Sequence, residues 1–76
     1  MSLRRHSVTL NGHRTSVAIE DAFWAEITRI ARRRELSVAR LIAEVDRMRT
    51  AENPPANLSS ALRLYVLNDL KTRSND

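Results

Sequence analysis

The side chains with chemical potential in this chain are two histidines, scattered carboxylates, a handful of serines and an excess of arginine. Their spacing argues against catalysis. His6 and His13 lie close together in sequence, while Ser37 has no histidine near it, so no nucleophile and base are paired locally. Glu20 with Asp21, and Glu44 with Asp46, read as helix-end and surface charges rather than an acid and base pair. There is no cysteine, and no Cys/His spacing suggests zinc. The one glycine sits after Asn11 in a turn, which leaves none for a phosphate loop. No metal ligand set, no cofactor and no enzyme activity are expected.

Arginine remains. Of 13 basic residues only Lys71 is lysine, and the formal net charge is +4. The planar guanidinium fork suits phosphate and guanine edges better than an ammonium does. A pair of such chains would double that charge, which favours an acidic polymer as partner. At 76 residues the chain is one small domain of 1–76, near the size where a single core is marginal. Self-association is the expected route to a larger core. No apolar run approaches the roughly 18 residues of a membrane span. Met1–Leu10 also lacks the apolar centre of a signal peptide, so a cytoplasmic protein is expected.

Positioning falls to strands and helices readable by period. Met1–Arg5 shows no periodicity and reads as a basic leader. His6–Leu10 alternates, Asn11-Gly12 follows, and alternation resumes over 13–19, the signature of a hairpin closed by a type I′ turn. A two-residue loop sets Leu10 opposite His13, Val8 opposite Thr15 and His6 opposite Val17. One face then carries His6, Val8, Leu10, Thr15, Val17 and Ile19, and the other Arg5, Ser7, Thr9, Arg14, Ser16 and Ala18.

A helix over about 21–33 has acid at its start and Arg32-Arg33-Arg34 at its end, as the helix dipole favours. The arginines read as a solvated C-terminal cap. Phe23, Ile27, Ile30 and Ala31 form its buried stripe, with Trp24 on the shoulder. Ser37 can cap a second helix over about 38–49, whose apolar positions are Val38, Leu41, Ile42, Val45 and Met48. Its opening amides with Arg40 nearby suit an anion, and a plain serine cap with Arg40 in solvent fits equally. Thr50–Ala56, with Pro54-Pro55, is a connector. A third helix over about 58–72 is apolar on more than one face, which implies burial against its own chain and a second one. Arg73–Asp76 reads as a polar tail that frays.

Strand, helix, serine-capped turn and helix resemble the ribbon-helix-helix family, DNA binders of the Arc and methionine-repressor type. The matching residues are Arg14-Thr15-Ser16-Val17-Ala18-Ile19, Leu36-Ser37-Val38 and Leu41-Ile42. His13-Arg14-Thr15-Ser16-Val17 and Asn57-Leu58-Ser59-Ser60-Ala61-Leu62-Arg63 are similar to a compact bacterial subgroup with an extra N-terminal hairpin and C-terminal helix. The resemblance implies an α+β fold: a hairpin and three helices in an intertwined homodimer with an antiparallel intermolecular sheet. It further implies that Arg14, Ser16 and Ala18 face DNA bases, with Arg5, Ser7 and Thr9 as additional contacts on that face. Ser37 and Val38 would hold a phosphate, with Arg40 added on charge grounds. Glu35 stands where the family often has glycine.

If both hairpins joined one sheet, its four strands would span roughly 14 Å at about 4.8 Å spacing, against a major groove about 12 Å wide. Strand one then moves away on binding, or DNA is contacted differently, or the sheet does not bind DNA. The last case is the alternative function: a homodimeric interaction module, antitoxin-like, with a protein partner on the helix at 58–72.

Overall fold

The structure, a computed structural model, describes residues 3–74. Two antiparallel strands, β1 (Leu3–Leu10) and β2 (His13–Glu20), are followed by α1 (Asp21–Arg33), α2 (Val38–Thr50) and α3 (Leu58–Ser74). This is the α+β hairpin and three-helix arrangement expected from the sequence. Its register pairs Leu10 with His13, Val8 with Thr15 and His6 with Val17. Asn11 (φ 52°) and Gly12 (φ 80°) both take the positive φ of a type I′ turn.

The hairpin is longer than its alternation suggests. Leu3, Arg4 and Arg5 are strand, not leader, because they supply the backbone partners of Glu20, Ile19 and Ala18. An ion pair of 3.2 Å from Arg4 to Asp21 ties this end to α1. α3 likewise runs to Ser74, past the expected end at 72. Of the tail expected to fray, Asn75 and Asp76 lie outside the described residues, as do Met1 and Ser2 at the other end.

The core lies between the hairpin and the helices. Val8, Leu10, Val17 and Ile19 come from the hairpin's underside, Ile27, Ile30 and Ala31 from α1, Leu41, Ile42 and Val45 from α2, and Leu62 and Val66 from α3. One chain therefore buries all of these side chains. Of the stripe expected on α1, Ile27, Ile30 and Ala31 are buried, while Phe23 is only half-buried, like Trp24 on the shoulder. Met48 is a departure: it continues the apolar spacing of α2 but is 50% exposed. On α3, Leu64 (61%) and Leu67 (49%) are also exposed. With Met48, Leu64 lines an apolar groove between α2 and α3.

Candidate nucleic-acid interface

The hairpin places six residues on one outer face. Arg5, Ser7, Thr9, Arg14 and Ser16 are exposed and Ala18 is half-buried. They pair across the ladder as Arg5 with Ala18, Ser7 with Ser16 and Thr9 with Arg14. Among the described residues no acidic side chain forms an ion pair with Arg5 or Arg14. The underside is anchored by the core and by His6, whose ring stacks on Trp24 at 3.8 Å and 6°. His6 Nε2 is buried without a hydrogen-bond partner. His13 is exposed, so the two histidines have different surroundings.

One edge of β2 meets α3. Counting from the two-residue turn, Leu10 and His13 exchange hydrogen bonds, and so do alternate pairs beyond them. The amides and carbonyls of Arg14, Ser16 and Ala18 consequently face away from β1. The Ser59 hydroxyl donates to the Ala18 carbonyl at 2.8 Å. One turn further along α3, Arg63 Nε donates to Glu20 at 3.0 Å. That hydrogen bond from Arg63 holds the Glu20 carboxyl below its ordinary range. Sequence reasoning missed both contacts. The only available signal was that Ser59 and Arg63, four apart, share a helix face.

The second expected site is the start of α2. α1 ends in a tight closure: Glu35 N–H donates to Arg32 C=O at 3.1 Å and Leu36 N–H to Ala31 C=O at 2.8 Å. This pattern needs a left-handed residue after the helix, normally glycine. Glu35 fills it at φ 58°. Ser37 then caps α2, its hydroxyl accepting from Arg40 N–H at 3.1 Å. The Val38 and Ala39 amides at the tip have no acceptor within the helix. Ser37 and Arg40 are exposed and Val38 is half-buried. Ser37, Val38 and Arg40 thus come together at one helix end, carried by a different element from the hairpin residues.

Beside them Arg34, Leu36, Arg40, Ala43, Glu44 and Arg47 line a groove of about 320 Å³. Arg34 is not a bare solvated cap. It donates to Glu44 at 2.7 and 3.2 Å and to the Tyr65 hydroxyl at 2.9 Å. The Arg34 hydrogen bond holds the Glu44 carboxyl low, and Arg34 itself is held more firmly protonated. Arg33 pairs with Asp69 at 2.6 Å. Of the arginine run, Arg32 alone keeps the solvated role among the described residues.

Among the described residues, no group of three or more His, Asp or Glu could hold a metal ion. No helix is long and apolar enough to cross a membrane. The arrangement can offer guanidinium forks, hydroxyls and a small apolar contact on one ribbon, and open amides at one helix tip. These are the donors used on base edges and phosphates. A family model described as a ribbon-helix-helix domain matches residues 3–70. No curated protein and no solved structure matches the chain.

Proposed function

The chain belongs to the ribbon-helix-helix domain family, and we propose that it is a dimeric, sequence-specific DNA-binding protein serving as a small transcriptional regulator. Membership of the family suggests DNA-binding regulation or an antitoxin-like role, and such domains are typically non-enzymatic. The observation that carries the reading is the hairpin's outer face, where two arginines, without acidic partners among the described residues, flank small polar residues. Arg14 forks to guanine, Ser16 donates or accepts, and Ala18 meets a thymine methyl. Arg5, Ser7 and Thr9 add contacts on that face. The α2 tip, with Ser37, Val38 and Arg40, clamps a backbone phosphate. A reader of this kind works in the cytoplasm on nucleoid DNA.

The test is binding of the purified chain to random duplex DNA at low and moderate salt, followed by selection of preferred sites. A selected inverted repeat, affinity falling steeply with salt, and loss of specific binding in Arg14→Ala support the reading. A folded chain that ignores DNA at low salt refutes it. The second reading is an interaction module with a protein partner on α3, antitoxin-like in kind. It is favoured by Met48 and Leu64, exposed along the α2–α3 groove. It requires that Leu64→Asp, and not Arg14→Ala, abolish function.

A further inference from the structure

α3 is apolar on two sides, and one of them faces the core. Leu62 and Val66 are buried there, while Leu64 and Leu67 stand exposed on the outer side. Met48 of α2 is exposed as well. With Val45, Ala61 and Tyr65, Met48 and Leu64 line a groove of about 330 Å³ between the two helices. Contiguous apolar surface of this kind marks a contact that another surface completes.

Charge identifies the occupant. Glu52 lines the groove near Ala61, at the end where α3 begins. Lys71 lies one turn beyond Leu67, so Leu64, Leu67 and Lys71 form one stripe at helical spacing. Glu52 and Lys71 are both exposed, and neither has an ion pair among the described residues. A surface with an acid at one end and a base at the other is complementary to itself after a half-turn. Where two α3 helices run antiparallel with Leu64 against Leu67, the same register sets Ser60 against Lys71. Ser60 adjoins Ala61, at the Glu52 end. Each copy's Lys71 therefore reaches the other's Glu52, twice per pair. Position supports the same occupant. α3 begins against β2, through Ser59 to the Ala18 carbonyl and Arg63 to Glu20. Arg49 borders both this groove and a second one that reaches Thr15 and Ser16 on β2. The apolar surface is thus continuous with the strand edge at which the family's intermolecular sheet would form.

Building on the dimeric reading above, we propose that a second copy of this chain covers the α2–α3 groove. The copy that extends the sheet at β2 also packs its α3 antiparallel against this one. Leu64 meets Leu67 across the seam, and Lys71 pairs with Glu52. α3 is then a dimer element, and its outer face is closed to any other protein.

Two measurements on the full chain test this. In a sample mixing isotope-labelled and unlabelled chains, filtered NOEs should connect Leu64 methyls of one copy to Leu67 methyls of another. Intermolecular NOEs confined to β2 mean a dimer with an open groove, which overturns the proposal and leaves the dimeric reading intact. A chain that stays monomeric overturns both. The second measurement is dimer dissociation, followed by sedimentation at low salt, where ion pairs count most. Glu52→Lys and Lys71→Glu should each weaken the dimer about ten-fold, since each pair occurs twice. The two together should return it to within about three-fold of the parent. Both positions are exposed, and circular dichroism would show that the variants fold. Single reversals without effect, or effects that merely add in the double variant, refute the pairing of Lys71 with Glu52.

Discussion

Glu35 carries a local conflict that a single substitution can resolve. At φ 58° it occupies the left-handed conformation that closes α1, where a side chain costs about 1 kcal/mol relative to glycine. Its carboxylate also stands two residues before Ser37, beside the helix tip proposed to hold phosphate. Glu35→Gly should therefore raise stability by about 0.5–1 kcal/mol in urea unfolding, and tighten DNA binding most at low salt. Glu35→Gln separates the two effects, since it removes the charge and keeps the strained side chain. Tighter binding without added stability is expected there. Equal affinity for the parent and both variants would remove the α2 tip from the interface.

At the scale of elements, what was legible in the sequence was what is local. Asn11-Gly12 fixed the hairpin register because a two-residue turn leaves no freedom to slip. The Ile27, Ile30 and Ala31 stripe and the Ser37 cap were readable because each depends on neighbours within one or two turns. The start of β1 was not, because Leu3-Arg4-Arg5 has no alternation and becomes strand only through the partners β2 offers it. The seat of α3 was hidden for a similar reason, since Ser59 reaches Ala18 across 41 residues. The hairpin residues proposed to contact DNA were legible as one outward face, because period-two alternation and a two-residue turn decide which side chains share it. Ser59→Ala tests the seat of α3 directly. Losing this part-buried hydrogen bond should cost about 1 kcal/mol, read as a lower urea midpoint with an unchanged slope. A variant with parental stability would show that apolar packing alone places α3.

Across the whole molecule, acidic groups are spent on particular arginines, and this sorts the positive charge. Glu20 holds Arg63, Glu26 holds Arg29, Glu44 holds Arg34, Asp46 holds Arg49, and Asp69 holds Arg33 and Arg73. Arg5, Arg14, Arg32, Arg40 and Arg47 have no such ion pair among the described residues. Three of these five, Arg5, Arg14 and Arg40, are among the proposed DNA contacts, and Arg47 lines the α2 groove beside Arg40. The same pairing determines how stability depends on pH. Burial pushes the Asp69 carboxyl up, but hydrogen bonds from Arg33 and Arg73 outweigh it and leave the group below its ordinary 3.8. Glu20 and Glu44 are also lowered, from 4.5, chiefly by hydrogen bonds from Arg63 and Arg34. Carboxyls depressed in the folded state contribute their full stabilisation above the ordinary values and lose it as pH falls through the depressed ones. The melting temperature should therefore stay level from about pH 7 to about pH 5 and fall below about pH 4. Asp69→Asn should cost about 1 kcal/mol at neutral pH, roughly 4–8 °C in melting temperature for a domain of this size. It should also flatten the acid limb, because the variant has less to lose on protonation. Melts from pH 7 to pH 3 on both proteins decide the matter: parallel acid limbs would mean that Asp69 contributes packing rather than charge to the joining of α1 and α3.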